Sequence, residues 1–356
     1  MTSGRTDGLR RGLLKWYAPR PQADKMLTEY MDLYRRARGK ISLTELCWLL
    51  PPGVMYGASR LMAERLLRLP KPPVDKLPIH DRELSELLFE LFRLIGRDYF
   101  RLKLEGMEHI PSQGAAMLVG NHNGGIMPID TLFTLLAVRD HCGPGRLVHP
   151  LAHDVLFAHP LLRRYGSALG VLRAGRASSE QIIDAQRLIL VYPGSDYDAG
   201  RSFWNRHKIV LGQRTGFLEV ALRRQVPIVP VVSVGTHEQL VILTDGQALA
   251  KRIGMHRLTR TNIFPLALML PWGLAPALFP YLPLPAQTTV RFGAPIAFPD
   301  VSPEQASDPE VLRRCYLRVE SAMQQMLDEL SDGRIPIIGQ RSAKKKPATQ
   351  GDRPFS

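Results

Sequence analysis

The chain has 356 residues, of which 45% are hydrophobic and 22% charged, so it can bury a core and lacks the composition of a disordered protein. Its formal net charge of +14 predicts an anionic partner, and the lack of zinc-finger, RNA-recognition or basic-zipper patterns argues against nucleic acid. Three cysteines without a CxxC spacing favour a reducing compartment and give no reason to expect a bound metal.

The first 80 residues predict a mostly helical N-terminal region that ends at the proline-rich stretch KPPVDKLP. Within it, Leu9, Leu13, Trp16 and Tyr17 lie at helical spacing among basic residues, without the uninterrupted apolar core of a secretory signal. Such a basic amphipathic helix either lies on an anionic membrane or packs on the rest of the protein.

Residues 81–300 predict the main domain, because strand-like and helical patterns alternate along them. After an amphipathic helix over 81–99, apolar strand-like runs occupy 100–105, 116–119, 147–151, 188–192, 226–234 and 288–293. Helical patterns begin near Pro128, Ser178 and Gly216. This order is typical of an α/β fold with a mixed, partly parallel sheet flanked by helices. Pro227 and Pro230 would be awkward in a central strand.

Three further segments complete the predicted organisation. Residues 263–285 are uncharged but contain six prolines, which forbid a regular spanning helix, so this segment lines a lipid-tail pocket, enters one leaflet, or forms buried loops and short helices. Residues 301–336 predict a C-terminal helix that packs on the domain through Val311, Cys315, Val319, Met323, Met326 and Leu330. Residues 337–356 predict a disordered basic tail.

The stretch NHNGGIMPID follows the strand-like run 116–119. His122 is therefore expected just beyond the carboxyl end of a strand, where open α/β sheets bind ligands. Asp130 either favours the start of the next helix or binds His122. Gly124 and Gly125 allow backbone N–H groups to approach a ligand closely.

NHNGGIMPID resembles the first block of the glycerolipid acyltransferase superfamily, the PlsC-like lysophospholipid acyltransferases, and especially its monoacylglycerol and diacylglycerol acyltransferase-like branch. The usual block has His, four residues, then Asp, whereas seven residues separate His122 from Asp130 here. GVLRAGR keeps the Gly170 and Arg176 of the second block. VYPGSDYDAGR is similar to the third block, Phe-Pro-Glu-Gly-Thr-Arg, with Gly194 in place of Glu. Residues 214–232 resemble the apolar fourth block, so the resemblance covers about residues 100 to 300.

The resemblance implies an acyltransferase-like fold and transfer of a fatty acyl group from an acyl thioester to a glycerolipid hydroxyl. His122 would act as general base with Asp130 as its partner, and the N–H groups near Gly124 and Gly125 are candidates to stabilise the oxyanion. Acyl-CoA or acyl-carrier protein would serve as donor substrate, with no bound cofactor. We expect peripheral or monotopic association with an anionic membrane surface on the cytoplasmic side.

The acceptor site is expected to use the second and third blocks. The candidate acceptor or phosphate ligands are Arg176 with Gly170, Arg173 and Arg201, and the third-block loop is Pro193, Gly194 and Ser195. Tyr197 stands where phosphate-using members carry arginine, which favours a neutral acceptor such as mono- or diacylglycerol. Lysophosphatidate is the alternative, with Arg201 returning the charge. His237 and Glu238, after the fourth block, either cap a helix or enter the site.

Two other classes of function stay open. Ser195 would be the nucleophile of a serine lipid hydrolase, with His122 and Asp130 completing a triad, but PGSDYD lacks the second glycine of a Gly-x-Ser-x-Gly turn. A non-catalytic lipid-binding protein would retain the fold alone.

Overall fold

The computed structural model describes residue 77 and residues 82–122, 127–152, 157, 166–252, 262–270, 272–277 and 281–340. The region predicted for residues 1–80 therefore lies almost entirely outside the described residues, as do Gly124, Gly125 and residues 341–356.

The strands of the described part of the chain form one large sheet and two small ones. They are β1 (Lys103–Glu105), β2 (Ala116–Gly120), β3 (Val148–Ala152), β4 (Leu172–Arg173), β5 (Leu188–Val191), β6 (Ile228–Val234), β7 (Val241–Thr244), β8 (Leu266–Met269), β9 (Gly273–Pro276), β10 (Thr289–Phe292), β11 (Arg334–Ile335) and β12 (Gly339–Gln340). The seven-stranded sheet has the order β1-β10-β6-β2-β5-β3-β4. Five neighbouring strands, from β6 to β4, run parallel, and β10 with β1 runs the opposite way. The predicted mixed, partly parallel sheet is thus confirmed.

Helices cover both faces of this sheet. Their bounds are α1 (Arg82–Asp98), α2 (Ile129–Cys142), α3 (Arg176–Asp184), α4 (Ser195–Ala199), α5 (Gly216–Arg223), α6 (Gln247–Arg252) and α7 (Pro309–Ser331). Leu118 and Leu190 face the side covered by α1 and α2, whereas Val119 and Val191 face α3, α5 and α7. The alternation follows from the two-residue period of a strand, and it makes the parallel strands apolar on both sides.

The C-terminal helix α7 packs on the sheet as its apolar spacing predicts. Asp308 begins it by accepting the N–H groups of Glu310 and Val311, and Pro309 occupies the first turn, where a missing donor costs nothing. Cys315, Val319, Met323 and Leu330 are buried, and Val311 and Met326 are partly buried in the same cluster.

Strand β6 accommodates Pro230 in the middle of the sheet. The N–H of Ile228 donates to Ile296 on the β10 side, and alternation places the nitrogen of Pro230 on that same side. There the regular ladder between β6 and β10 has already ended, at the pair Val231 and Phe292. The carbonyl of Pro230 still accepts the N–H of Gly293 at 2.8 Å there, so the proline removes a single donor at the end of the ladder and β6 tolerates it.

A three-stranded sheet, β7-β8-β9, is built largely from the proline-containing segment 263–285. The described residues of that segment are strands and extended chain, a possibility absent from the sequence interpretation. Ile242, Ala267 and Met269 face inward and form a separate apolar cluster. Among the described helices, none is long and apolar enough to cross a membrane.

The last described residues of the chain form a short hairpin of β11 and β12. Residues 337–340 therefore belong to ordered structure, which corrects the predicted start of the disordered tail at 337. The guanidinium of Arg334 anchors the hairpin by donating to both carboxylate oxygens of Glu238 at 2.8 and 2.9 Å. The backbone N–H of Ile337 donates to the same carboxylate at 2.7 Å, so the buried charge of Glu238 is well compensated.

Candidate active site

The carboxyl ends of three adjacent parallel strands bring the candidate site together. Strand β2 leads to His122, β5 leads to the third-block loop, and β6 leads to His237. Because β5, β2 and β6 are neighbours and run the same way, these three segments meet at one edge of the sheet.

Asn121 fixes the chain immediately before His122. Its side-chain amide donates to the carbonyl of Ser233 at 3.0 Å, and its carbonyl oxygen accepts the N–H of Ser233 at 2.8 Å. The buried amide thus continues the hydrogen bonding between β2 and β6 past the end of β2. This anchor gives His122 a defined starting point.

His122 and Asp130 are in direct contact, despite the long spacing between them. Nδ1 of His122 lies 2.8 Å from Oδ2 of Asp130, which is buried in the first turn of α2. The other carboxylate oxygen of Asp130 accepts the N–H of Thr131 at 2.8 Å, so the same carboxylate also satisfies a backbone donor in the first turn of α2. A carboxylate at Nδ1 holds the proton there and leaves Nε2 as the basic nitrogen.

Tyr192 supports the imidazole from its face. The two rings are stacked, with centroids 4.6 Å apart and planes inclined by 28°. A side chain at position 120 would collide with the Tyr192 ring, so Gly120 at the end of β2 makes room for it. Burial raises the pKa of Tyr192 well above its ordinary value, which keeps the hydroxyl protonated.

Asp198 holds the backbone of His122 from the third-block side. Its Oδ2 accepts the His122 N–H at 2.5 Å, and its Oδ1 binds Nη1 of Arg201 at 2.6 Å. Both side chains are almost completely buried, and Arg201 also donates to the carbonyl of Lys208. The pair therefore fixes the turn that contains α4 to the loop that carries His122.

The surrounding charges set the protonation behaviour of the site. Burial opposes a charged His122, but the charge and hydrogen bond of Asp130 and the charge of Asp198 outweigh it, so the pKa lies above the ordinary 6.5. Burial raises the pKa of Asp198 to about 6, although Arg201 and the His122 N–H favour its ionised form. The two carboxylates therefore favour the charged form of His122 more than water does.

Arg173 and Arg176 of the second block lie at the same edge of the sheet but farther along it. Three strand spacings separate β2 from β4, or about 14 Å. Arg173 ends β4 with an exposed side chain. Arg176 begins α3 and binds Glu219 at 2.7 Å, with Glu180 at 3.7 Å. Gly170 is buried at a φ of 76° and accepts a hydrogen bond from His149 at 2.8 Å.

The third-block loop is tightly constrained. A side chain at Gly194 would collide with the carbonyl of Val210 and with Asp198. The carbonyl of Pro193 accepts from Arg214 at 3.2 Å. Ser195 has a φ of 49°, a conformation that glycine adopts more easily and that glycine would supply in the family's block. Among the described contacts of His122, none involves Ser195.

Arg201, His237 and Glu238 have three different environments in the structure. Arg201 is interior and paired with Asp198, which differs from the anion-gripping arginine on a folded-back loop that the sequence suggested. Burial and the charge of Arg201 hold the pKa of His237 well below its ordinary value, so its ring is neutral. Glu238 binds Arg334 and belongs to the structural anchor of the C-terminal hairpin.

Sequence reasoning missed Asn121, Tyr192 and Asp198 as site residues. Asn121 and Tyr192 are in the quoted first and third blocks, at or just past the ends of strand-like runs, so their position was a usable signal. Asp198 gave a weaker signal, because its contact with His122 joins residues 76 positions apart.

Comparison with known proteins adds independent information to this geometry. The sequence profile of the family described as diacylglycerol acyltransferase matches residues 90–329, which include His122, Asp130 and Asp198. An uncharacterised protein of Mycobacterium tuberculosis is 32% identical over 265 residues, which cover 74% of this chain and 71% of that protein.

Two further proteins are more distantly similar to this chain. A human protein named "DGAT1/2-independent enzyme synthesizing storage lipids" is 24% identical over 232 residues, or 64% of this chain and 61% of that protein. The crystal structure of the 1-acyl-sn-glycerophosphate acyltransferase PlsC from Thermotoga maritima aligns over 87% of this chain and 97% of its own. Its TM-score of 0.42 and 16% identity are too low to support an argument about this protein. From the profile match and the mycobacterial relative, the chain belongs to the diacylglycerol acyltransferase family, within the glycerolipid acyltransferase superfamily.

Proposed function

We propose that this acyltransferase uses His122 as a general base to move a fatty acyl group from an acyl thioester to the hydroxyl of a neutral glycerolipid. The contact between His122 Nδ1 and Asp130 is the observation that carries the proposal, because it presents Nε2 as a base. The donor is acyl-CoA or acyl-carrier protein, and no bound cofactor is required.

The proposed reaction needs one proton acceptor and no serine nucleophile. Nε2 of His122 removes the hydroxyl proton while the acceptor oxygen attacks the thioester carbonyl, and Asp130 stabilises the imidazolium. Collapse of the tetrahedral intermediate breaks the carbon–sulfur bond, and the imidazolium returns its proton to the departing thiolate. The products are an ester and a free thiol. We assign stabilisation of the oxyanion to the N–H groups near Gly124 and Gly125.

The first prediction separates an acyltransferase from a serine lipid hydrolase. His122→Ala should lower the rate of acyl transfer by roughly 10² to 10⁴ while the protein stays folded, since it removes the base. Ser195→Ala should keep most of the activity, and exposed His141 offers a matched control, His141→Ala. Acyl transfer is followed by lipid mass spectrometry and folding by the midpoint of thermal unfolding.

Each departure from this pattern has a distinct meaning. Equal losses in His122→Ala and Ser195→Ala, with free fatty acid as product, would identify a serine hydrolase. Unchanged transfer in His122→Ala would remove the histidine from the mechanism.

The pairing of arginines supports a neutral acceptor. Arg176 is bound to Glu219, Arg201 to Asp198, and Arg214 to Asp196 at 3.2 Å, so nearby carboxylates compensate all three positive charges. The guanidinium of Arg214 also lies 6.0 Å from the ring of Tyr197, the residue that replaces the family's arginine. The family description and the human relative's name, which refers to storage lipids, agree with this assignment.

The second prediction tests the acceptor directly. The value of kcat/KM should be higher for mono- or diacylglycerol than for lysophosphatidate with the same acyl donor. Tyr197→Arg should raise the value for lysophosphatidate by about tenfold or more, because it adds a charge-assisted contact, whereas Tyr197→Phe should not. A wild-type preference for lysophosphatidate that is lost in Arg176→Ala would show that the acceptor is anionic.

We further propose that the protein associates peripherally with the cytoplasmic side of an anionic membrane. Its net charge of +14 and the water-insoluble glycerolipid substrate support this placement.

A further inference from the structure

The small sheet β7-β8-β9 exposes an unusual number of large apolar side chains. Leu243, Leu268, Trp272 and Leu274 are exposed by 41%, 54%, 57% and 65%, and we call these four residues the outer face. Leu268 pairs with Leu274 across β8 and β9, so their side chains are neighbours on one side of the sheet. None of the residues in the three strands is charged.

Where the pairing of β7 and β8 is regular, exposed residues alternate with buried ones. Ile242 and Ala267 are cross-strand partners that point inward and are fully buried. Met269 is also buried. Both sides of the sheet are therefore apolar, although a sheet with one solvated side normally alternates apolar and polar residues. Exposed large apolar side chains grouped on one small sheet are typical of a site of interaction.

We propose that the outer face docks onto an anionic lipid bilayer, with Trp272 at the membrane–water interface. This inference rests on the proposed function, because it supplies the contact through which insoluble glycerolipids reach the enzyme. Tryptophan suits that position, since its ring prefers an apolar environment and its N–H prefers a polar one. Trp204, which is 73% exposed, lies in a short helix against β7 and adds a second such ring beside the sheet.

Charge at the edge of the sheet favours lipid headgroups as the occupant. Helix α6 follows β7 after a two-residue turn and exposes Leu249, Lys251 and Arg252. Asp245 in that turn accepts hydrogen bonds from the backbone and side chain of Gln247, so the acid is engaged locally. The chain's excess of basic residues complements an anionic leaflet in the same way.

The position of the sheet links docking to the candidate active site. Met127, between His122 and Asp130, packs against the inner apolar cluster of the small sheet. The outer face and the catalytic loop thus lie on opposite sides of one sheet. A bilayer on the outer face would therefore lie one sheet away from the loop, and its glycerolipids would pass the edge of that sheet to reach His122.

The test uses the full chain and vesicles of phosphatidylcholine with phosphatidylglycerol. Leu268→Gln combined with Leu274→Gln should lower the vesicle partition coefficient by about tenfold or more, because two apolar side chains no longer enter the bilayer. Leu317→Gln is the matched control, since Leu317 is 47% exposed on α7 and lies outside the outer face. Lipids brominated in the acyl chain should quench tryptophan fluorescence, and Trp272→Phe should remove much of that quenching.

Other occupants of the outer face give different results. If the wild type fails to bind these vesicles, or the double variant binds as the wild type does, the proposal is wrong. A dimer in light scattering that the double variant abolishes, with vesicle binding unchanged, would assign the face to a second copy of the chain. A lower unfolding temperature with unchanged vesicle binding would assign it to another segment of the same chain.

Two further measurements keep docking separate from catalysis. The double variant should retain kcat/KM on short-chain, water-soluble substrates, because its changes lie away from the reacting groups. His122→Ala should bind vesicles as the wild type does. Full activity in His122→Ala would overturn the proposed function and leave the docking result intact, whereas vesicle binding unaffected by the double variant would do the reverse.

Discussion

At the scale of single residues, His122 is held from three directions. Asp130 binds its Nδ1, Tyr192 stacks on its face, and Asp198 accepts its backbone N–H. A general base must lie within hydrogen-bond reach of its proton in a fixed orientation, and each contact removes one way in which the ring could turn or shift. Asp130 and Asp198 also place two negative charges near the ring, so the supports that orient it also favour its charged form.

The third prediction follows from those charges. His122 acts as a base only when neutral, so activity falls as the pH drops through its pKa. Because that pKa lies above 6.5, the acid limb of kcat/KM should have its midpoint above pH 6.5. Asp198→Asn removes a charge that favours the imidazolium, and the midpoint should then move to lower pH.

The control for this shift lies in the same short helix. Asp196→Asn breaks contacts with Arg214 and the N–H of Asn262 but none with His122, so its acid limb should match that of the wild type. If Asp198→Asn lowered kcat without moving the midpoint, Asp198 would have only a structural role.

At the scale of elements, some contacts and strands could be predicted from the sequence and others could not. His122 and Asp130 lie eight positions apart, beside a strand and a helix that the periodicity predicts, so their contact could be anticipated. The small sheet could not, because its apolar strands alternate poorly and prolines obscure them. Asp198 reaches the backbone of His122 through a fold that brings together residues 76 positions apart, whereas the sequence shows only a charged residue in a loop.

The fourth prediction concerns the hairpin of β11 and β12. A buried ion pair between Arg334 and Glu238 holds this hairpin against the segment that follows β6. Arg334→Met should destabilise the protein by about 3–5 kcal/mol, because Glu238 would keep a buried charge without its partner. Removing both charges, in Glu238→Gln with Arg334→Met, should cost less than Arg334→Met alone. Urea unfolding measures both, with Arg313→Met on the exposed side of α7 as the control.

Equal costs for the single and double variants would contradict this account. They would show that the cost of Arg334→Met comes from the lost hydrogen bonds between Arg334 and Gln287 and not from an unpaired Glu238.

At the scale of the whole molecule, the excess of positive charge predicts how membrane binding depends on salt. Flotation with anionic vesicles should weaken as salt rises from about 0.01 M to 1 M, because the Debye length falls from about 30 Å to about 3 Å. A variant lacking residues 1–20 should float less well, since it loses basic and aromatic side chains of the predicted amphipathic helix. Salt-independent flotation, equal in both proteins, would exclude a role for charge.

The contact between Glu238 and Arg334 also bears on how the protein folds while the ribosome is still synthesising it. The two residues are 96 positions apart, so at roughly 5–20 residues per second the arginine is synthesised about 5–20 s after its carboxylate partner. Helices and hairpins form within microseconds, far faster than this delay. Strand β10, which pairs with β6, is also made after Glu238. One side of β6 therefore stays unpaired until β10 has been made, and during that interval it is a strand edge with which other chains can pair.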